Sequence, residues 1–193
     1  MVISGRRWRE LCRSRRRALD HAPGLARGDL ARWRRARGLA PQPDCLVLSA
    51  SLDLPLPGPA VGGRLIVLAG ADAPSARVRR LRAAGVEVRL ATRARVRGVD
   101  VRELARRRGY RTVYSAAGPQ VLHTLVAARV LGRLYLTLAL RLVGGADFDT
   151  LLHGGVLSPA ADFRLPELHL AGAARRRAQL LFASLAPVPG GGE

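Results

Sequence analysis

Between Cys45 and Leu131 short apolar runs alternate with helical patterns, and most of the helical patterns carry their own start and stop signals. That alternation constrains the fold more than any single residue does. A strand, a helix and a second strand in succession pack as a parallel crossover. Residues 45–49 and 64–69 are short apolar runs of strand length. Asp72, Ala73 and Pro74 open a helix with proline at its first position, Val78 and Leu81 fall on its inner face, and Gly85 stops it. Val86, Val88 and Leu90 then alternate with Glu87 and Arg89, the period of a half-exposed strand. Asp100 as N-cap with Glu103 three residues later reads as a capping box, flanked by Val99 and Leu104 as the staple, and Gly109 ends that helix. Residues 112–116 are the next predicted strand. Residues 119–131 are the next helix, with Val121, Leu122, Leu125 and Val126 facing inward.

The longest period-two run follows. Leu134, Leu136, Leu138, Leu140 and Leu142 alternate with Arg133, Tyr135, Thr137, Ala139 and Arg141, which predicts one buried leucine face. Gly144 and Gly145 break the run, and Asp147 and Asp149 after it read as loop caps or as a carboxylate pair. Residues 164–170 and 178–186 are two late strands, predicted to pair antiparallel. The expected architecture is an α/β fold: a mixed sheet with parallel crossovers, an antiparallel C-terminal edge and helices on both faces.

The front of the chain reads differently. Residues 29–37 suit a short helix with Asp29 as N-cap and Gly38 as its stop, but residues 1–28 are arginine-dense and only faintly periodic. They are expected to be atypical and poorly packed, with too few apolar residues to offset their ordering entropy. The organised domain is expected over residues 29–187, with a flexible tail at 188–193. All 33 basic residues of the 193 are arginine, and the formal net charge is +19. A field of that sign draws nucleic acid and other polyanions without sequence preference, so no specific nucleic-acid partner is expected. GC-rich coding accounts for the composition, since arginine, alanine, glycine, proline and leucine rise together. Cys12 and Cys45 stand far apart in no metal-binding or disulfide spacing, and His153 and His169 have no ligand-spaced partners, so no metal site is expected. No apolar stretch is long enough to span a bilayer, and a cytoplasmic protein without membrane contact is the expectation.

The most informative junction is S-A-A-G-P-Q, residues 115–120. A helix N-terminus exposes unpaired N–H groups and about half a positive charge, and one that follows a strand lies at the carboxyl edge of the sheet, where open α/β folds bind ligands. Small residues let a phosphate reach the backbone, and Pro119 fits the first helical position. The same residues also make a tight βα loop with no ligand. His123, one turn into that helix, reads as structural or solvated.

Three stretches together carry a resemblance: residues 37–56 (R-G-L-A-P-Q-P-D-C-L-V-L-S-A-S-L-D-L-P-L), residues 83–88 (A-A-G-V-E-V), and residues 115–145, from S-A-A-G-P-Q to L-V-G-G. In order and spacing the chain resembles the dihydrofolate-reductase-like family that includes the reductase domain of the bifunctional riboflavin-biosynthesis deaminase/reductase. The resemblance implies a fold that holds NADPH and passes hydride to a pyrimidine- or pterin-like ring, with a possible homodimer. It places Ala117, Gly118, Pro119 and Gln120 against the cofactor phosphates, and Ser49 and Ser51 near the adenosine phosphate. Taken by itself, the 49–53 segment also reads as a polar turn. Three positions depart from the family pattern. Ala50 stands where an arginine is frequent, and Ala116 and Ala117 stand where Glu-Gly is usual. The opening strand, with its Lys and Ser-Leu-Asp-Gly, has no counterpart in residues 1–28, nor has the Val-Gly-x-x-Thr turn. The expected function is an NADPH-dependent reductase-like protein similar to 5-amino-6-(5-phosphoribosylamino)uracil reductase, with little turnover of that pyrimidine and no residue assigned to proton donation. The alternative is a catalytically silent homologue whose arginine-rich arm binds nucleic acid or a protein.

Overall fold

The computed structural model describes residues 1–13, 28–56, 63–140, 150–172 and 179–188. Four parallel strands form the first sheet, in the order β1 (Val2–Ser4), β2 (Cys45–Leu48), β3 (Leu65–Ala69) and β4 (Glu87–Leu90). The helices are α1 (Gly5–Arg13), α2 (Gly28–Ala36), α3 (Ser75–Ala83), α4 (Gly98–Arg107) and α5 (Pro119–Ala127). The antiparallel strands form a sheet of their own, with β7 (Gln179–Pro187) paired between β5 (Leu134–Ala139) and β6 (Phe163–Gly172).

Period two explains how the first sheet is buried. Ile3, Cys45, Val47, Val67, Ala69 and Val88 project to one face, where they meet Trp8 of α1 and Val78 and Leu81 of α3. Val2, Leu46, Ile66 and Leu68 project to the other, against Val101 of α4 and Val121 and Leu125 of α5. Helices therefore cover both faces, as a parallel sheet requires. The α/β architecture with parallel crossovers and a C-terminal antiparallel part agrees with the expectation from sequence.

Asp29 lies inside the first turn of α2 rather than capping it, Pro74 is the N-cap of α3 rather than its first residue, and four larger details also differ from that expectation. The first is the front. Val2 and Ile3 are each 1% exposed and Trp8 is fully buried, so residues 1–13 are packed rather than loose. Two apolar residues and one indole suffice because β1 is sandwiched, pairing with β2 on one side and bridging Ser115 on the other. Residues 14–27 lie outside the described part.

Second, the strand expected at residues 112–116 is reduced to that bridge, in which the Val2 N–H donates to the Tyr114 carbonyl and the Ala116 N–H to the Val2 carbonyl. Its flank, Val113 and Tyr114, is exposed. Third, α4 begins three residues earlier than the capping-box reading placed it. Arg97 is the N-cap, and Asp100 is the third helical residue, its carboxylate accepting the Arg97 N–H at 2.7 Å. The cause is tertiary: Gly98 lies so close to α5 that a Cβ there would stand 2.7 Å from the Thr124 carbonyl oxygen. Fourth, the leucine face of β5 is buried only in part. Leu134 and Leu136 are half-buried, whereas Leu138 and Leu140 are 48% and 53% exposed. Leu142, Asp147 and Asp149 fall outside the described residues.

Cys45, at the start of β2, gives a direct check on this core. Burial pushes its thiol up to about 12, and only the thiolate reacts. At pH 8 a thiol-labelling reagent is expected to modify half-buried Cys12 slowly and to reach Cys45 only on unfolding. Equal native-state labelling rates for the two would place Cys45 outside the core.

Candidate functional site

Because β1, β2 and the 114–116 segment run parallel, three turns emerge at the same edge of the sheet: Ser4–Gly5 into α1, the 49–53 loop after β2, and 116–118 into α5. These turns enclose a cleft of about 760 Å³, within the size range of small-molecule and cofactor sites.

Each turn is fixed locally. The Ser4 hydroxyl accepts the Arg7 N–H at 3.2 Å and so caps α1. The Ser49 hydroxyl accepts the Leu52 N–H at 3.1 Å, and that of Ser51 accepts the Asp53 N–H at 3.2 Å. The polar-turn reading of this loop is therefore realised, in addition to its position at the cleft. Leu52 holds a left-handed φ of 54°, strained for a leucine, and its side chain is wholly buried in the same cluster as Leu54. Four side chains bind the loop's carbonyls. Arg77 donates to Ser51 at 2.7 Å, Arg9 to Asp53 at 3.0 Å, Arg80 to Leu54 at 2.8 Å, and the Trp8 indole N–H to Pro55 at 3.0 Å.

Gly118 is the N-cap of α5, with φ −76° and ψ −174°, and Pro119 follows as the first helical residue. Open space surrounds the position a Cβ would take at Gly118. The Val121 and Leu122 N–H groups turn back to the Gly118 carbonyl, while Pro119 has no N–H and helix geometry leaves that of Gln120 facing outward. A strap lies over this turn. The His153 N–H donates to the Pro119 carbonyl at 3.3 Å, and His123 Nε2 bonds the Gly155 carbonyl at 2.7 Å. The ring of His123 lies so close to Gly154 that a Cβ there would stand 2.4 Å from Nδ1. His123 thus has a structural role, as expected, and the strap it fastens brings Thr150 and His153 to the cleft.

Of the residues singled out from sequence, Ser49, Ser51, Gly118, Pro119 and Gln120 line this one cleft. Ala117 does not. It is half-buried against the cluster that contains Val2, Leu46 and Val121, and Ala116 takes the place at the cleft wall. The cleft is also lined by Arg6, Arg7, Arg9, Glu10, Thr150 and His153, none of which sequence reasoning assigned to a cofactor site. The signal for the α1 group was present in V-I-S-G-R-R, two apolar residues followed by a serine N-cap. Glu10 is the one carboxylate lining the cleft among the described residues, and it contacts both Arg6 and Arg7 at 3.3 Å. The cleft therefore joins two helix N-termini, three serine hydroxyls and an excess of positive side chains. That combination suits a phosphorylated ligand.

Comparison with solved structures places this geometry. A pyrimidine reductase-like protein from Corynebacterium diphtheriae superposes with a TM-score of 0.66 at 19% identity, covering 98% of this chain and 75% of its own. The fold is dihydrofolate-reductase-like. RibD from Acinetobacter baumannii shares it at a TM-score of 0.61 and 15% identity, with 97% of this chain covered, which spans 46% of that protein. No family model and no curated protein matches the sequence. In this dihydrofolate-reductase-like frame the cleft sits at the carboxyl edge of the parallel sheet, with the antiparallel sheet as a separate unit. No helix among the described residues is long and apolar enough to cross a membrane.

Proposed function

We propose that the chain is an NADPH-binding, reductase-like protein, whose cleft seats the cofactor phosphates at the mouth of α5 and the adenosine end near Ser49 and Ser51. One observation carries the reading: the N-termini of α1 and α5 and the serine turn after β2 converge on a single cleft of about 760 Å³. The residues fit the group, since Gly118 leaves room at the helix mouth and Ser49 is a buried hydroxyl at the wall. NADPH would supply the hydride. The chain's part is to bind and orient it, through backbone N–H groups at Gly118 and Gln120 and hydroxyls at Ser49 and Ser51. The substrate class that goes with this reading is a pyrimidine- or pterin-like ring in the cytoplasm, and turnover of the riboflavin-pathway pyrimidine is expected to be low in a chain without lysine. The unit would start at β1 rather than near residue 29. Against an arginine-rich arm free to hold nucleic acid stands Trp8, which ties α1 into the core. The test is a thermal melt with NADPH, where a rise in Tm with ligand concentration is expected by mass action and a flat response at millimolar NADPH refutes the reading.

The homodimer belongs to the same proposal, and the second sheet offers its surface. Leu136 and Leu168 both pair with Ala183, and Leu138 and Leu170 both pair with Leu181, so four leucines share one face. Leu138, Leu168 and Leu170 are 48%, 53% and 60% exposed. Arg164 is the single arginine among the described residues from 134 to 188. Two strongly basic chains repel each other everywhere except across a patch such as this. Light scattering is expected to give a dimer mass that Leu168→Glu with Leu170→Glu converts to monomer. A monomeric wild type at micromolar concentration refutes it.

A further inference from the structure

The side-chain cations of the cleft all come from one helix. Arg6, Arg7 and Arg9 line it from α1, whereas residue 50 is alanine and the mouth of α5 carries no charge. Topology sets α1 in the middle, because β1 lies between the 114–116 segment and β2. The helix start at Gly5 is thus flanked by the Gly118 turn on one side and by the serine turn on the other. Arg9 is already committed to the Asp53 carbonyl. Arg6 and Arg7 instead share a carboxylate, each with one nitrogen 3.3 Å from Glu10. Their side chains are 86% and 54% exposed, and exposed pairs of this kind hold weakly. Each guanidinium carries five N–H groups, and a phosphate dianion matches them better than a carboxylate already shared between two cations.

We propose that Arg6 and Arg7 select a ligand carrying an additional phosphate, with Glu10 as their counter-ion until that phosphate arrives. The proposal rests on the dinucleotide reading above and deepens it. Backbone N–H groups at α5 suit a diphosphate, but nothing in that uncharged turn distinguishes a ligand with a third phosphate from one without. The two arginines supply the distinction. Binding exchanges Glu10 for the phosphate, so Glu10 competes only with the group that takes these two arginines. The group with the highest charge overcomes that competition best.

Calorimetric titration of the full chain at physiological salt with NADPH, NADH and adenosine 2′,5′-bisphosphate tests this. Wild type is expected to prefer NADPH to NADH by on the order of tenfold or more. Arg6→Ala with Arg7→Ala should bring that ratio near one with little change for NADH. Glu10→Gln should tighten NADPH about threefold while leaving NADH unchanged. A control, Arg79→Ala with Arg102→Ala, removes two exposed arginines outside the cleft and should leave the ratio intact. If the double variant weakens both dinucleotides equally, or if the control lowers the ratio as much, the selection does not reside in Arg6 and Arg7. If neither dinucleotide binds but the bisphosphate does, and does so through these arginines, the cofactor reading fails and this inference stands. Binding of none of the three overturns both.

Discussion

Trp8→Ala is expected to destabilise the protein by about 3–5 kcal/mol, the cost of truncating a large aromatic in a closed core. Trp8 is fully buried, in the same cluster as Ile3, Val47, Leu52, Leu54 and Leu81, and its indole N–H satisfies the Pro55 carbonyl. The substitution would open a cavity and also leave that acceptor without its partner. An arginine-rich segment lying loosely on the surface would respond quite differently, since surface changes away from special features fall within about 0.5 kcal/mol. Urea unfolding separates the two outcomes cleanly. A loss under 1 kcal/mol would mean that the front of the chain does not belong to the core.

Gly118→Asp is expected to act in opposite directions on folding and on binding. Gly118 is an N-cap with an extended backbone, and the space where a side chain would go is open. Aspartate is a preferred N-cap, improving on glycine by a few tenths of a kcal/mol, and its charge suits the helix dipole. The ligand-free protein should therefore melt at the same temperature or slightly higher. The same carboxylate would occupy the place proposed for the cofactor phosphates and repel them. Wild type at a hundredfold excess of NADPH over Kd gains about 2.7 kcal/mol, and in the variant that gain should vanish. A variant that keeps the NADPH response would show that the phosphates lie elsewhere, and its unimpaired melting would rule out misfolding as the cause.

Much of the fold can be read in the sequence because its strands are covered on both sides. Residues 45–48 and 65–69 are uninterrupted apolar runs, and Val78 and Leu81 mark the buried side of α3. The front resists such reading for a physical reason. A three-residue strand has no period to display, and among the described side chains of α1 the one large group that is fully buried is the Trp8 indole. What stabilises both is their position between two other segments, a property of topology rather than of local pattern. The start of α4 was hidden for a similar reason, since the close approach of Gly98 to α5 depends on residues some thirty positions away. At the site, Ser49 and Ser51 were legible because they follow a strand, and the 118–120 turn because Gly-Pro marks a helix start. Arg6, Arg7, Glu10, Thr150 and His153 come together only once β1 is inserted and the strap is fastened by His123.

The loop after β2 has an evolutionary consequence. Every basic residue of this chain is arginine, and on an exposed surface most of it is exchangeable. At residues 9, 77 and 80 it has become part of the framework, each guanidinium closing over a backbone carbonyl of residues 51, 53 or 54. A genome drifting back toward lysine would be free to replace the solvent-facing arginines one by one. It would be held back at these three, where the long planar head reaches a fixed oxygen and a lysine ammonium offers a different shape and a heavier hydration shell. A bias of the genetic text has thus been converted into a constraint on its future changes, and the sites where drift stalls should trace the outline of this loop.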